Sequence, residues 1–205
     1  MAASALAPVV TRNRLNGSTI ERYVRNGLPI ELPGQDIRRI IDLTRSGFGT
    51  AMDEEDIRQH ILPVDFLYVA SWKGDLVGFA SSQMKDGKFY FSGVVVDKTH
   101  QNAGIATDFA RARVEDALRL GYHGFWTRTQ NPVVEYTLSR ALDQLREDGS
   151  FGDWTMERRL LPALYGKMLT ASKPISRDST LNETYSALDH PRGDAFRLDI
   201  SLAPC

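Results

Sequence analysis

Along the first third of the chain, apolar residues recur at helical spacing rather than in alternation. Ile37, Ile40, Ile41 and Leu43 fall on one face between Gln35 and Ser46, after Pro33-Gly34 and before Gly47 and Gly49, and predict a helix. Asp53, Glu54, Glu55 and Asp56 crowd the start of a shorter segment closed by Pro63. Acidic side chains favour the positive end of a helix, so a second helix is predicted there. The texture then turns β-branched and aromatic. Asp65–Trp72, Leu76–Met84 and Lys88–Val96 are separated by turns at Lys73-Gly74-Asp75 and Asp86-Gly87, and read as an antiparallel meander.

Further on, Ile105, Phe109, Ala112, Val114, Ala117 and Leu118 form the apolar side of a helix from about Gly104 to Leu120, with Gly121 as its C-cap. Gly124–Thr129 reads as a strand, and Asn131-Pro132 supplies a cap residue and a first-turn proline for a helix to about Arg146. After the polar break Glu147–Asp153, the spacing in Thr155–Leu169 predicts a helix apart from Pro162. Residues 171–193, rich in Ser, Pro, Asp and Arg, read as a long loop. Ala195–Leu202 alternates cleanly and predicts a half-buried strand docking back onto the sheet.

The start of the chain carries little pattern. A short strand is expected near Leu28–Leu32, and residues 1–26 read as a flexible segment. Arg12 and Arg14 precede the first acidic residue, Glu21, which keeps an organelle transit peptide open as the alternative. Residues 27–205 are expected to form one domain, with a core at about 35–142 and an extension at 143–205 that ends in a strand. The order of elements predicts an α/β (α+β) fold: a mixed, mostly antiparallel central sheet flanked by helices.

Composition narrows the function classes. The 205 residues are 42% hydrophobic and 25% charged, the make-up of an ordinary globular domain. A formal net charge of −1 provides no basic field for nucleic acid. No apolar run approaches the roughly 18 residues that span a bilayer, so no membrane partner is expected. The lone cysteine, Cys205, excludes an intrachain disulfide and fits a reducing, cytoplasmic setting. The scattered His60, His100, His123 and His190 offer no metal-ligand spacing, and no metal is expected.

The chemistry concentrates in Val94-Val95-Val96-Asp97-Lys98-Thr99-His100-Gln101-Asn102-Ala103-Gly104-Ile105-Ala106-Thr107, a buried strand that runs through a polar loop into a helix. Such a helix start directs backbone N–H groups and the positive dipole end at an anion, and small residues let a phosphate approach the main chain. Gln101-Asn102-Ala103-Gly104-Ile105-Ala106 resembles the Gln/Arg-x-x-Gly-x-Gly/Ala signature of the GCN5-related N-acetyltransferase (GNAT) superfamily. That superfamily often places Asn at the end of the next strand, before a helix. Thr127-Arg128-Thr129-Gln130-Asn131-Pro132 is similar. The resemblance covers roughly residues 35–142.

The resemblance implies the acyl-CoA N-acyltransferase fold and acetyl-CoA as cosubstrate. Val94, Val95 and Val96 would offer main-chain groups to the pantetheine arm, and a backbone N–H near Val94 or Val95 would meet the developing oxyanion. Gln101, Asn102, Ala103, Gly104, Ile105 and Ala106 would wrap the pyrophosphate, Thr107 would add a hydroxyl, and Asn131 would hold the pantetheine. It implies a primary amine of a small molecule or peptide as acceptor, and leaves room for a homodimer.

The match departs where the proton chemistry is concerned. The tyrosine expected about seven residues past the asparagine is Leu138, and Phe89–Val96 holds no carboxylate base. Tyr136, Glu135 and Ser92 stand as catalytic candidates, with Tyr90 and Asp97 beside them, and a water chain that removes the amine proton is a further route. A catalytically inactive acyl-CoA-binding sensor or interaction module with the same fold is the alternative function.

Overall fold

The computed structural model describes residues 12–13, 18–25, 30–49, 52–61, 63–170 and 172–205. The chain divides into two compact units, Met1–Gln83 with Gly93–Ile105, and Met84–Ser92 with Ala106–Cys205. The strands form a mixed, mostly antiparallel sheet flanked by helices.

The first unit contains β1 (Arg12–Asn13), β2 (Ser18–Val24), α1 (Gly34–Phe48), α2 (Glu54–Ile61), β3 (Phe66–Trp72) and most of β4 (Asp75–Lys85). It also takes the end of β5 (Lys88–Val96) from Gly93 onward. β2 pairs antiparallel with β3 from Ser18↔Trp72 to Val24↔Phe66, and β3 pairs with β4 through a register shift between Ala70 and Ser71. Ile40, Ile41 and Leu43 of α1 and Ile57 of α2 pack on Leu67, Val69, Phe79 and Val95, so the predicted apolar faces are the buried ones. β2 corrects the expectation of a flexible residue 1–26 segment over Ser18–Val24. Glu21 and Arg22 interrupt its alternation, and main-chain pairing to β3, to which side-chain periodicity is blind, orders it. Of the strand expected at Leu28–Leu32, Leu28 and Pro29 lie outside the described residues, and Ile30–Leu32 is not strand. Residues 1–11 and 14–17, including Arg14 of the transit-peptide alternative, also lie outside them.

The second unit holds the start of β5, then α3 (Ile105–Arg119, from Ala106 onward), β6 (Gly124–Thr129), α4 (Pro132–Glu147), β7 (Asp153–Leu161), α5 (Ser179–Ser186) and β8 (Ala195–Ala203). Phe89–Phe91 of β5 pair in parallel with Phe125–Thr127 of β6, and a parallel pair needs a crossover, which α3 supplies. Phe109, Val114, Phe125, Leu138, Leu142, Leu145, Leu198 and Ile200 are buried in this unit.

Two expectations fail here. Residues 153–161 form a strand where the spacing of Thr155–Leu169 suggested a helix. β7 pairs with β8 along its whole length, from Asp153↔Ala203 to Leu161↔Ala195, and these partners stand 34 to 50 residues apart in sequence. Local spacing carries no trace of such a ladder, and Pro162 ends it. The expected 171–193 loop contains α5. The Asp178 carboxylate accepts from Thr180 N (2.9 Å) and Leu181 N (3.1 Å) as an N-cap, and Leu181 and Tyr185, one turn apart, are buried. The polar composition of the stretch hides a helix with only one narrow apolar stripe.

Candidate functional site

In the first unit, β5 runs out through Val94 and Val96, both half-buried, and the buried Val95. The Cγ1 of Val95 lies 3.2 Å from where a Cβ on Gly47 would stand, so α1 approaches the strand end closely. Asp97 then builds a short 3-10 turn over Lys98–His100. Its Oδ1 accepts from Thr99 N (2.9 Å) and Thr99 Oγ1 (2.6 Å), and Arg39 donates to its Oδ2. The Thr99 hydrogen bonds first, and Arg39 after them, hold this carboxyl down to about 2. Thr99 Oγ1 also lies 2.9 Å from His100 Nδ1.

Gln101, Asn102, Ala103 and Gly104 are all exposed. The Gln101 side chain folds back so that Nε2 donates to Val96 O (3.3 Å) and closes the loop on the strand that precedes it. Asn102 (φ 65°) and Gly104 (φ 80°) both take left-handed conformations, which asparagine tolerates and glycine adopts freely. These two reversals bend the main chain into α3, where Ile105 and Thr107 are buried and Ala106 is half-buried. An exposed, small-residue turn feeding a 15-residue helix is the geometry that favours an anion at its start.

In the second unit, Asn131 is the N-cap of α4: its Oδ1 accepts from Val133 N (2.8 Å), while its own N–H donates to Thr129 Oγ1 (2.8 Å). The cap fixes the amide, and only its Nδ2 side remains to donate elsewhere. Glu135 is 2% exposed and is bound by three groups: Arg158 Nε (2.8 and 2.9 Å), Arg158 Nη2 and the Tyr185 hydroxyl (3.1 Å). This carboxylate ties α4, β7 and α5 together. Tyr136, half-buried, accepts from Arg140 (3.4 Å), and Leu138 is a core residue. Ser92 is half-buried on β5, next to the boundary between the units.

On this unit Tyr90, a candidate from the sequence, belongs to a group whose other members the sequence did not bring to it. Tyr90 and Trp126 stack at 4.1 Å, and the guanidiniums of Arg128 and Arg197 lie over the Trp126 ring at 5.5 and 4.2 Å. Next to them, buried Gln130 donates to Asp194 O (2.9 Å) and Lys167 O (3.3 Å) and accepts from Leu169 N (2.9 Å), which clamps the loop after β7. Tyr165 in that loop donates to Arg128 O (3.3 Å), and burial pushes its phenol up to about 12. The alternation of Trp126 with Arg128, and of Arg197 with Asp199, was readable. The pairing of β6 with β8 that places them together was not.

Residues 35–136 match the family model described as Acetyltransferase (GNAT) family, and the match includes both α1 and the strand–loop–helix just described. The chain is a GNAT-family protein. Among solved structures, the GNAT chain is similar in fold to the ribosomal-protein-S18-alanine N-acetyltransferase of Escherichia coli, with a TM-score of 0.58 at 11% identity over 92% of this chain and 96% of that one. A GNAT family acetyltransferase of Elizabethkingia anophelis with acetyl-CoA bound gives 0.52 at 16% identity, over 92% and 100%. An aminoglycoside 6'-acetyltransferase type Ii gives 0.57 at 13% identity, over 91% and 98%. No curated protein matches the chain in sequence. Among the described residues, no group of His, Cys, Asp and Glu side chains is arranged to hold a metal, and no helix is long and apolar enough to cross a membrane.

Proposed function

We propose that this GNAT chain transfers an acetyl group from acetyl-CoA to a primary amine of a small molecule or peptide, by direct attack with both substrates bound. The observation that carries the reading is the loop Gln101–Gly104: exposed, left-handed at Asn102 and Gly104, and delivered by β5 to the start of α3 inside the family-matched region. Fit to a diphosphate is supported by the small Ala103 and Gly104, which leave the main chain approachable, and by the helix dipole behind them. Gln101–Ala106 and Thr107 are assigned to the pyrophosphate, Val94–Val96 to the pantetheine amides, and Asn131, through Nδ2, to the same arm.

In the reaction the free amine nitrogen forms a bond to the acetyl carbon as the carbon–sulfur bond breaks and its electron pair leaves on sulfur. A main-chain N–H near Val94 or Val95 stabilises the charge that develops on the carbonyl oxygen. The ammonium must first lose a proton, since an alkylammonium with a pKa near 10.4 is no nucleophile. Glu135 is ill-suited to take it, because its oxygens are occupied by Arg158 and Tyr185. Asp97 is bound by Thr99 and Arg39. We therefore assign proton removal to water, with Ser92 and Tyr136 as side chains that relay it. A thiol with a pKa near 8.5 leaves without an acid.

Calorimetry with acetyl-CoA on the wild type and on Gly104→Glu, with release of free thiol across an amine panel, tests both halves. Equal acetyl-CoA binding by the two proteins removes the loop from the site. Leu138 in the core, where a tyrosine acid was expected, and the engaged Glu135 favour one rival: an idle acyl-CoA sensor or docking module. It predicts Gly104-dependent binding with no thiol released from any amine.

A further inference from the structure

Several arginines of the second unit carry a carboxylate partner that Arg128 lacks. Arg158 is paired with Glu135, Arg192 with Asp194, Arg111 with Glu115 and Asp148, and Arg197 with Asp199. Among the described residues no carboxylate pairs with Arg128. Its Nη2 donates to the Tyr90 hydroxyl (3.2 Å), its Nε is buried with no partner, and its carbon centre lies 5.4 Å from the Tyr90 ring and 5.5 Å from that of Trp126. The two rings beneath it are nearly inaccessible, at 7% and 4% exposure, whereas Arg128 itself is half-buried. A cation desolvated against aromatic rings without a counter-ion is a costly arrangement, which the face of the rings offsets only in part.

The neighbourhood adds to the imbalance. Arg197 stands directly opposite Arg128 in the β6–β8 register, but Asp199 chelates it through Nε (2.8 and 3.0 Å) and Nη2 (2.6 Å). The next strand places Glu157 opposite Asp199 and Arg159 opposite Arg197, so that strand adds one charge of each sign. The Lys85 ammonium lies 5.8 Å over the Tyr90 ring and adds a further positive charge. One guanidinium is thus left uncompensated on a rigid aromatic floor, three residues before Asn131 on the segment that the acetyltransferase reading assigns to the thioester arm.

We propose that Arg128 is the anchor for a carboxylate on the acetyl acceptor, so that the substrate class is a zwitterionic amine, an amino acid or a short peptide, rather than a simple alkylamine. The proposal rests on the acetyltransferase reading for what happens to the amine, but not for the binding itself. A planar guanidinium edge matches a carboxylate with paired charge-assisted hydrogen bonds, and the aromatic floor and the Tyr165 hydroxyl bond to its own carbonyl hold it ready. The ligand supplies the counter-ion that the fold withholds.

The test uses the full chain saturated with CoA and a set of L-amino acids, each beside its carboxamide, with binding read by calorimetry. The wild type should bind at least one amino acid roughly 10- to 100-fold tighter than its amide, the range expected for a hydrogen-bonded charge pair. Arg128→Gln should reduce that amino acid to the affinity of the amide while leaving the amide and acetyl-CoA unchanged. Arg128→Lys keeps the charge but loses the fork, and should fall between; it is the variant to read if the glutamine protein fails to fold. No preference for any amino acid over its amide, or a preference that survives both substitutions, overturns the proposal. Carboxylate-selective binding that depends on Arg128, with no acetyl transferred, upholds the anchor and discards the acetyltransferase reading.

Discussion

The pairing of Glu135 with Arg158 yields an asymmetric stability prediction. The Glu135 side chain is 2% exposed and the Arg158 side chain 42% exposed, so water can reach one partner and not the other. Arg158→Ala leaves a charged carboxylate in the interior with only the Tyr185 hydroxyl to satisfy it. Breaking a fully buried pair costs about 3–5 kcal/mol, and the partial exposure of Arg158 brings this to about 2–3 kcal/mol, or roughly 4–12 °C in Tm for a chain of this size. Glu135→Leu removes the buried charge instead, and the arginine left behind hydrates. Its cost is the orphaned Tyr185 hydroxyl, about 1–2 kcal/mol. Urea unfolding of the two single variants and the double variant, with thiol release measured on each, checks the order. Equal losses for the two singles would refute the burial argument. A Glu135→Gln protein that keeps its stability but loses acetyl transfer would show that this carboxylate handles the proton after all, against the structural role assigned to it.

Asp97 gives a pH signature. Its folded pKa, about 2, lies below the ordinary carboxylate value, so its contribution is present above about pH 4 and lost as pH falls through 2. The difference in urea midpoint between the wild type and Asp97→Asn should therefore be constant from pH 7 to 5 and shrink between pH 4 and 2; a gap that widens on acidification contradicts this. Gly193→Ala combines a left-handed φ of 88° with a Cβ that would collide with the Gly166–Lys167 main chain, and should cost about 2–4 kcal/mol by thermal unfolding. Gln130→Ala removes both sides of the clamp on the loop at 167–169 and should make Lys167 the first tryptic cut under native conditions, with roughly 1–3 kcal/mol lost. Asn131→Ala should lose about 1 kcal/mol as a helix cap, and a CoA affinity that falls more than tenfold beyond that would mark its second role.

The elements that the sequence determined by itself are those whose stabilising pattern is local. α1, α3 and α4 were readable because an apolar stripe at helical spacing is also the face that buries, and the caps at Asn131 and Gly121 sit within a turn of it. The β3–β4–β5 meander was readable because its turns are written in adjacent residues. The family signature is local too, six residues that shape one turn. Features that depend on distant partners emerge only once the chain has folded. β2 and β7 exist because β3 and β8 offer main-chain groups to pair with, and neither strand carries enough side-chain alternation to announce itself. Glu135 stands in the sequence as a catalytic candidate, and becomes a buried, engaged carboxylate only because Arg158 and Tyr185 arrive from 23 and 50 residues away. Arg128 is one arginine among many until the pairing of β6 with β8 and the stacking of Tyr90 on Trp126 deny it a counter-ion. Charge balance is a property of neighbours in space, and the order of residues along a chain does not contain it.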